Sequence, residues 1–328
     1  MPQIDPSSRV YVAGHRGLVG SAVVRRLVEA GVEVVARTRD ELDLRDGAAV
    51  RAFFEAEAPT HVVLAAAKVG GILANATYPA DFVADNLAIA LHVIQAAHQT
   101  GVGARGRLVF LGSSCIYPRL APQPMREEHL LTGPLEPTNR PYAIAKIAGV
   151  ELAESLHRQH GDDMVSLMPT NLYGPGDNFD DASSHVLPAL MARFERARQS
   201  GTGEPVTVWG SGTPRREFLY SDDLADAILH VLARPQDDVR AVAPDGLLNV
   251  GTGVDLTIRE LAEAVRGVVG APNPLAWDAS RPDGTPRKLL DVSRMAALGW
   301  TASTPLADGL AATYGWYRAQ LAESAEAA

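Results

Sequence analysis

The chain has 328 residues, of which 46% are hydrophobic and 21% charged, and its net charge is −9 at pH 7. These values are typical of a globular protein, and the length favours two domains over one core. The acidic balance argues against nucleic acid as a partner. We expect neither a membrane span nor a secretory signal, because no apolar run is long enough and the first residues lack basic and apolar regions. The single cysteine excludes an intramolecular disulfide and indicates a reducing compartment.

The first half of the sequence alternates short apolar strands with helical segments. Strands are predicted at Val10–Ala13, Val32–Ala36, His61–Ala67, Leu108–Leu111 and Met164–Met168, and helices at Leu18–Ala30, Asp81–Thr100 and Tyr142–His160. Alternation of this kind, with nearly continuous apolar strands, predicts a parallel sheet covered on both faces. The expected fold class is therefore α/β, a Rossmann-type doubly wound sheet.

The pattern changes after Asn171, and a smaller C-terminal substrate-binding domain is expected there. Helices are predicted at His185–Gln199, Ser221–Ala233 and after a capping box at Thr257–Glu260, and strands at Pro205–Trp209 and Leu247–Val250. We expect the first domain to contain residues 1–171 and 216–254. The second would contain residues 172–215 and 255–321.

A glycine-rich turn follows the first predicted strand. Gly14 permits a tight turn, Gly17 lets the backbone approach a pyrophosphate, and Gly20 allows close packing of helix on sheet. The N-terminus of the following helix would face the pyrophosphate. The turn therefore predicts a dinucleotide site, which also includes the intervening residues His15, Arg16, Leu18 and Val19.

The end of the second predicted strand indicates which dinucleotide binds. An NAD-preferring site would place an acidic residue there, but this chain has Arg37, and Arg16 lies within the glycine turn. Two guanidinium groups suit a 2′-phosphate. The sequence therefore predicts NADP(H) as the cofactor.

Tyr142 and Lys146 lie four residues apart just after Pro141, so on a helix they share one face. An ammonium beside a phenol lowers the pKa of the phenol and makes it a usable proton donor. Ser113 lies at the end of an earlier predicted strand. A glycine-rich turn, a strand-end serine and a Tyr-x-x-x-Lys helix, in this order, resemble the extended short-chain dehydrogenase/reductase superfamily.

Longer blocks of sequence resemble one family within it. The blocks are Ala65–Ile72, Gly112–Pro118, Pro141–Gly149, Pro169–Pro175 and Trp209–Pro214. They are similar to the GDP-L-fucose synthase family, the GDP-4-keto-6-deoxymannose 3,5-epimerase/4-reductases. The resemblance implies a bifunctional, NADPH-dependent, cytoplasmic homodimer that converts GDP-4-dehydro-6-deoxy-D-mannose to GDP-L-fucose.

The resemblance also implies the residues of the site. Ser113, Cys115, Tyr142, Lys146 and His185 would be catalytic. Further cofactor contacts would come from Leu111, Gly112, Ser114, Pro169, Thr170, Asn171 and Leu172, together with Ser113, Tyr142, Lys146 and His185. Substrate contacts would come from Ser113, Cys115, Asn171, Asn178, Arg193, Trp209, Arg216, Asp278 and Lys288. No metal is expected.

Cys115 and His185 fit the chemistry of epimerisation. A C4 ketone acidifies the protons on C3 and C5, and a thiol and an imidazole titrate near neutrality, which suits proton exchange. On spacing alone, a lone cysteine is more often a small buried hydrophobe and a histidine at a helix start an ordinary hydrogen-bonding residue. The resemblance reverses both interpretations and suggests Cys115 as base and His185 as acid.

Two other functions compete with this one. Another extended reductase-type enzyme, a nucleotide-sugar 4-epimerase or 4,6-dehydratase, would retain NAD and usually place an acidic residue where Arg37 stands. A dehydratase would also carry an Asp-Glu pair where this chain has Ser114 and Cys115. A non-catalytic redox-sensing protein on the same fold tends to lose the tyrosine or the lysine, and both are present here.

Overall fold

The computed structural model describes residues 4–180, 183–280 and 283–326. Its strands are β1 (Arg9–Ala13), β2 (Glu33–Val35), β3 (His61–Leu64), β4 (Leu108–Leu111), β5 (Met164–Pro169), β6 (Asn171–Tyr173), β7 (Val206–Trp209), β8 (Arg215–Tyr220), β9 (Leu247–Val250), β10 (Asp255–Thr257), β11 (Leu275–Asp278) and β12 (Arg287–Lys288). Its helices are α1 (Leu18–Glu29), α2 (Gly47–Glu57), α3 (Ile72–Thr77), α4 (Pro79–Gln99), α5 (Val102–Arg105), α6 (Arg140–His160), α7 (Val186–Ser200), α8 (Ser221–Leu232), α9 (Gln236–Val242), α10 (Ile258–Val269), α11 (Ser293–Ala297) and α12 (Leu306–Glu326).

The central sheet has six strands in the order β2-β1-β3-β4-β5-β9, and every neighbouring pair is parallel. Side chains of β1 alternate between two cores. Tyr11 and Ala13 pack into one core with α2, α4 and α6, whereas Val10 and Val12 pack into the other with α1, α8 and α11. The sheet is therefore covered on both faces, and the predicted Rossmann-type doubly wound fold is confirmed.

A third core lies apart from the central sheet. It joins α7, α10 and α12 with β7 and includes Phe194, Val208 and Leu261. Strand β8 pairs there with β6, β10 and β12, and β7 pairs with β11. The predicted domain boundary at residue 216 falls inside β8. This strand belongs to the smaller four-stranded sheet rather than to the central one.

Local signals set several of these boundaries. The predicted capping box at the start of α10 is present: Glu260 N–H donates to Thr257 Oγ1 at 3.1 Å, and Thr257 N–H donates to the Glu260 carboxylate at 2.7 Å. Helix α6 ends at Gly161, whose φ of 79° is left-handed. Within the described residues, no helix combines the length and apolar character needed to cross a membrane.

Candidate active site

The glycine turn joins β1 to α1. Gly14 has a φ of 87°, and a Cβ there would lie 2.8 Å from the Ala66 backbone. A Cβ on Gly20 would lie 2.1 Å from the Gly14 carbonyl oxygen, so helix and turn pack too closely for a side chain. A Cβ on Gly17 would meet no protein atom nearer than 3.5 Å. It would instead fill the space in front of α1, where a pyrophosphate is expected.

Other features of this turn fit a dinucleotide. His15 Nδ1 is buried and has no hydrogen-bond partner among the described residues. Leu18 opens α1, Val19 packs against the core beneath it, and Arg16 is exposed. The turn thus combines the N-terminus of α1 with an exposed arginine, which suits a phosphate-containing ligand.

Arg37 follows β2, as predicted, and is held in place by protein groups. Its guanidinium donates to the Ala36 carbonyl at 2.8 Å, forms an ion pair with Glu57, and lies 5.4 Å from the centre of the Phe53 ring. Hydrogen bonds from Thr38 lower the pKa of the Glu41 carboxyl, and the charges of Arg37 and Arg16 lower it further. Both arginines therefore lie near one carboxylate, Glu41, on the surface beside the glycine turn.

Ser113 and Tyr142 meet beyond the end of β4. Their side chains share a hydrogen bond, which favours the phenolate of Tyr142, but burial dominates and raises the pKa of Tyr142 well above its usual range. Ser113 Oγ also accepts the Cys115 N–H at 3.2 Å, where it caps a short 3-10 turn over Ser114–Ile116. Tyr142, Ser113 and Cys115 thus form one contiguous group.

Lys146 lies one turn along α6 from Tyr142, with only 4% of its surface exposed. Its ammonium donates to the Leu111 carbonyl at 2.7 Å and lies 5.8 Å from the centre of the Tyr142 ring. Burial lowers the pKa of Lys146 to about 7. Burial therefore dominates the pKa of both groups, and the lowering of the Tyr142 pKa by Lys146 stays a prediction.

The thiol of Cys115 faces two nitrogen donors. Asn139 Nδ2 donates to Sγ at 3.1 Å, and Lys288 Nζ lies 3.6 Å from it. Lys288 reaches the thiol because β12 pairs with β8, where it lies beside Arg216. Burial lowers the pKa of Arg216, and the nearby Cys115 opposes this shift. Lys288 and Arg216 were both predicted as substrate residues, and the structure places them around the sulfur.

His185 immediately precedes α7, where it occupies the N-cap position in an extended conformation. Its side chain is exposed on one side, while the surrounding protein desolvates the imidazole and lowers its pKa. The carbonyls of Ser183 and Ser184 approach Gly71 in the loop after β3. The grouping of His185 with Cys115 stays a prediction.

A second group of predicted substrate residues surrounds the end of β7. Trp209 is 60% exposed, and the Arg193 guanidinium lies 5.9 Å from its ring centre. Asp278 pairs with Trp209 through the β7–β11 register, and its carboxylate accepts the Ser280 N–H at 3.1 Å. An exposed indole with a guanidinium beside it is suited to stacking with a planar base.

The remaining predicted residues lie between these groups. Gly112 and Ser114 follow β4, and Pro169, Thr170, Asn171 and Leu172 join β5 to β6. Asn171 Nδ2 donates to the Glu217 carbonyl at 2.8 Å, which ties β6 to β8 beside the end of β5. Asn178 organises its own loop, because its Nδ2 donates to Ser183 Oγ at 2.8 Å and its Oδ1 accepts the Asp180 N–H at 3.0 Å.

Two residues of this region were not predicted. Asn139 could have been identified as the N-cap of α6, but its contact with a thiol 24 residues earlier in the chain depends on the tertiary fold. Burial raises the pKa of Asp177 to about 6, and its Oδ2 is buried with no partner in the described part of the chain. Only its Gly-Pro-Gly-Asp-Asn loop could have drawn attention to it.

Comparisons with known proteins agree with this site. Residues 10–251 match the model of the NAD dependent epimerase/dehydratase family. The chain is 57% identical to a GDP-L-fucose synthase of Escherichia coli, in an alignment that covers 94% of this chain and 96% of the relative. It is 56% identical to GDP-L-fucose synthase 1 of Arabidopsis thaliana, with 95% of this chain and 94% of the relative covered. The crystal structure of a GDP-L-fucose synthetase from Naegleria fowleri bound to NADP superposes with a TM-score of 0.85 at 26% identity, covering 98% of this chain and 97% of that one.

Proposed function

Because the chain belongs to the NAD dependent epimerase/dehydratase family, we propose that its site converts GDP-4-dehydro-6-deoxy-D-mannose to GDP-L-fucose. The chain is an NADPH-dependent oxidoreductase with epimerase activity. The observation that carries the specific assignment is the position of Cys115. Its thiol adjoins the Ser113–Tyr142 pair that a reductase needs, so proton exchange and carbonyl reduction can occur on one bound sugar.

The cofactor is NADP(H). The glycine turn and the N-terminus of α1 would hold its pyrophosphate, and Arg37 with Arg16 would hold its 2′-phosphate. Lys146 and the segment Pro169–Leu172 would line the nicotinamide ribose and ring. When bound, the cofactor supplies the hydride for reduction at C4.

Epimerisation depends on two protonating groups. The sulfur of Cys115 removes a proton from the carbon next to the C4 ketone, and the electron pair passes to the ketone oxygen as an enolate. His185 returns a proton to the opposite face of that carbon. Once Cys115 has released its proton to solvent and His185 has taken one up, the same exchange at the second carbon completes the epimerisation at C3 and C5.

Reduction uses the groups beyond β4. Ser113 donates a hydrogen bond to the C4 oxygen, and Tyr142 transfers its phenolic proton to that oxygen as the C4 carbon is reduced. Burial raises the pKa of Tyr142, so the phenol carries the proton that it transfers to the C4 oxygen. Arg193, Trp209 and Asp278 would bind the guanosine diphosphate end of the substrate, and Asn178, Arg216 and Lys288 the sugar and phosphates.

Two further proposals concern the whole molecule. We keep the division into residues 1–171 with 216–254, and 172–215 with 255–321, as a proposal: the separate third core supports a second domain, whereas the boundary near 216 lies inside β8 and α11 packs in the core of the central sheet. We also propose a cytoplasmic homodimer formed through α4 and α6. These helices pack side by side and expose Leu87, Leu91 and Ile144. Covering the sheet alone does not account for apolar side chains on the outward face.

One assay tests the proposed function. The protein is incubated with GDP-4-dehydro-6-deoxy-D-mannose and NADPH, absorbance is followed at 340 nm, and the product is identified by chromatography against GDP-L-fucose. We expect NADPH oxidation equimolar with GDP-L-fucose formation. Turnover with no net NADPH use would instead indicate a 4-epimerase or dehydratase, and no turnover a binding protein.

A further inference from the structure

Asn139 occupies the N-cap position of α6, but its side chain makes no capping hydrogen bond. Asparagine is preferred at this position because its side-chain oxygen accepts an N–H of the first turn. Here the amide instead donates to Cys115 Sγ at 3.1 Å. Its Oδ1 is buried and finds no partner among the described residues. The helix thus lacks its side-chain cap, and the residue that could supply it is turned towards the thiol.

The charges around the sulfur favour an anion. Groups that face it are Lys288 on β12, Arg216 on β8, Tyr142 on α6, and Arg119, Glu136 and Arg287, which line the adjoining cleft. Arg119 is paired with Glu136 at 3.1 Å and Arg287 with Asp255 at 2.5 Å, and Asp283 acts on Arg216. Lys288 is the cation nearest to the sulfur, at 3.6 Å. The sulfur therefore faces an uncharged amide donor, Asn139, and a cationic donor, Lys288.

We propose that Asn139 is a positioning residue for epimerisation, whose amide stabilises the Cys115 thiolate while Lys288 supplies the compensating charge. The proposal rests on the proposed function. A thiolate is only an acceptor, and an N–H bond to an anion is stronger than one to a neutral group. When the sulfur takes a proton from the substrate, the C–H bond breaks, an S–H bond forms, and the charge moves to the C4 oxygen. Rotation of the Asn139 amide then brings its unpartnered Oδ1 to accept the new S–H.

A purely structural role for Asn139 and a role at the Cys115 sulfur predict different behaviour of the Asn139 variants. Asn139→Ala removes both amide groups. Asn139→Ser keeps a preferred N-cap residue but is too short to keep the same contact with Cys115. If Asn139 served only the helix, the serine variant would behave like the parent. If it serves the sulfur, the alanine and serine variants will change alike.

The single cysteine makes the test direct, because alkylation of the NADP⁺-bound protein by iodoacetamide reports only on Cys115. The rate is measured against pH for the parent and both variants, with Cys115→Ser as the blank. Loss of a hydrogen bond to a charged group lowers the thiolate population roughly tenfold to a hundredfold. We therefore expect the pH of half-maximal rate to rise by about one to two pH units in both variants.

Melting temperatures are measured alongside, so that a variant with a disrupted helix is recognised. The proposal would be overturned if both variants had the parent's dependence of alkylation rate on pH. It would also be overturned if Asn139→Ser had the parent's dependence and Asn139→Ala did not. Alkylation needs no substrate, so its result is separate from the proposed function. That function fails only if the parent neither exchanges deuterium into GDP-4-dehydro-6-deoxy-D-mannose nor forms GDP-L-fucose.

Discussion

Lys146 is a buried lysine whose pKa of about 7 implies a large cost to the folded protein without its ligands. Between that value and the usual 10.5, the unfolded chain binds a proton that the folded protein does not, so stability rises with pH across this interval. Each pH unit corresponds to about 1.4 kcal/mol, and the whole interval to about 5 kcal/mol. Below pH 7 Lys146 is charged in both the folded and the unfolded protein, so the full cost of burying that charge lowers the stability of the fold.

Lys146→Met removes this penalty but also the hydrogen bond to the Leu111 carbonyl. An unsatisfied buried carbonyl costs about 1–3 kcal/mol. The variant should therefore be about 2–4 kcal/mol more stable than the parent near pH 6, and less stable near pH 10. It should lose the reductase activity that the proposed function assigns to this site.

The assay is urea unfolding of the cofactor-free protein at intervals from pH 6 to pH 10, followed by circular dichroism. Lys68→Met is the matched control. A hydrogen bond to Asp81 raises the pKa of Lys68, so the contribution of Lys68 is present below its usual pKa and is lost only above the raised value. The change in the free energy of unfolding caused by Lys68→Met should therefore stay constant from pH 7 to pH 9. A Lys146→Met effect that does not change with pH, or a variant less stable than the parent at pH 6, would refute the reasoning.

Three other predictions follow from the site and the surface. Arg37→Asp should weaken NADPH binding by on the order of tenfold to a hundredfold while changing NADH binding far less. Titration of cofactor fluorescence measures both affinities. Equal use of NADPH and NADH by the parent protein would contradict this prediction. Tyr142→Phe should lose reduction but still exchange solvent deuterium into C3 and C5, whereas Cys115→Ser should lose exchange while still binding NADPH, because a hydroxyl ionises far less readily than a thiol. Mass spectrometry of recovered substrate decides this, and undiminished uptake by Cys115→Ser would remove Cys115 from the mechanism. Leu91→Glu should convert the expected dimer to a monomer in light scattering, and a monomeric parent at micromolar concentration would reject the interface.

The central sheet was predictable because its signals are local. Leu108–Leu111 is a strand in the structure with the same bounds as predicted, since four apolar residues bounded by polar and glycine-rich segments leave little choice. The capping box of α10 specified its start in the same way. By contrast, no local pattern predicts a strand at Arg215–Tyr220. It is a strand because it pairs with segments from three other parts of the chain.

In the site, too, residues marked by local sequence could be predicted, whereas contacts that depend on the tertiary fold could not. Order along the chain was enough to name Ser113, Tyr142 and Lys146, but it did not include the burial of Tyr142, which raises the pKa of its phenol. A rule for neighbours on an exposed helix does not include burial, and here burial dominates. Contacts between Cys115 and Lys288 join residues 173 positions apart, and no spacing rule reaches that far.

The order of strands in the central sheet also constrains how the chain folds as it is synthesised. Five neighbouring strands are complete once residue 169 has left the ribosome, but the sixth, β9, ends only at residue 250. At about 5–20 residues per second, the nascent chain spends roughly 4–16 seconds with the outer edge of β5 unpaired and α8 absent from one face. Exposed edges of this kind recruit other strands. We therefore expect aggregation in the cell to respond most to slow codons between residues 170 and 250, a stretch whose translation rate leaves the mature enzyme unchanged.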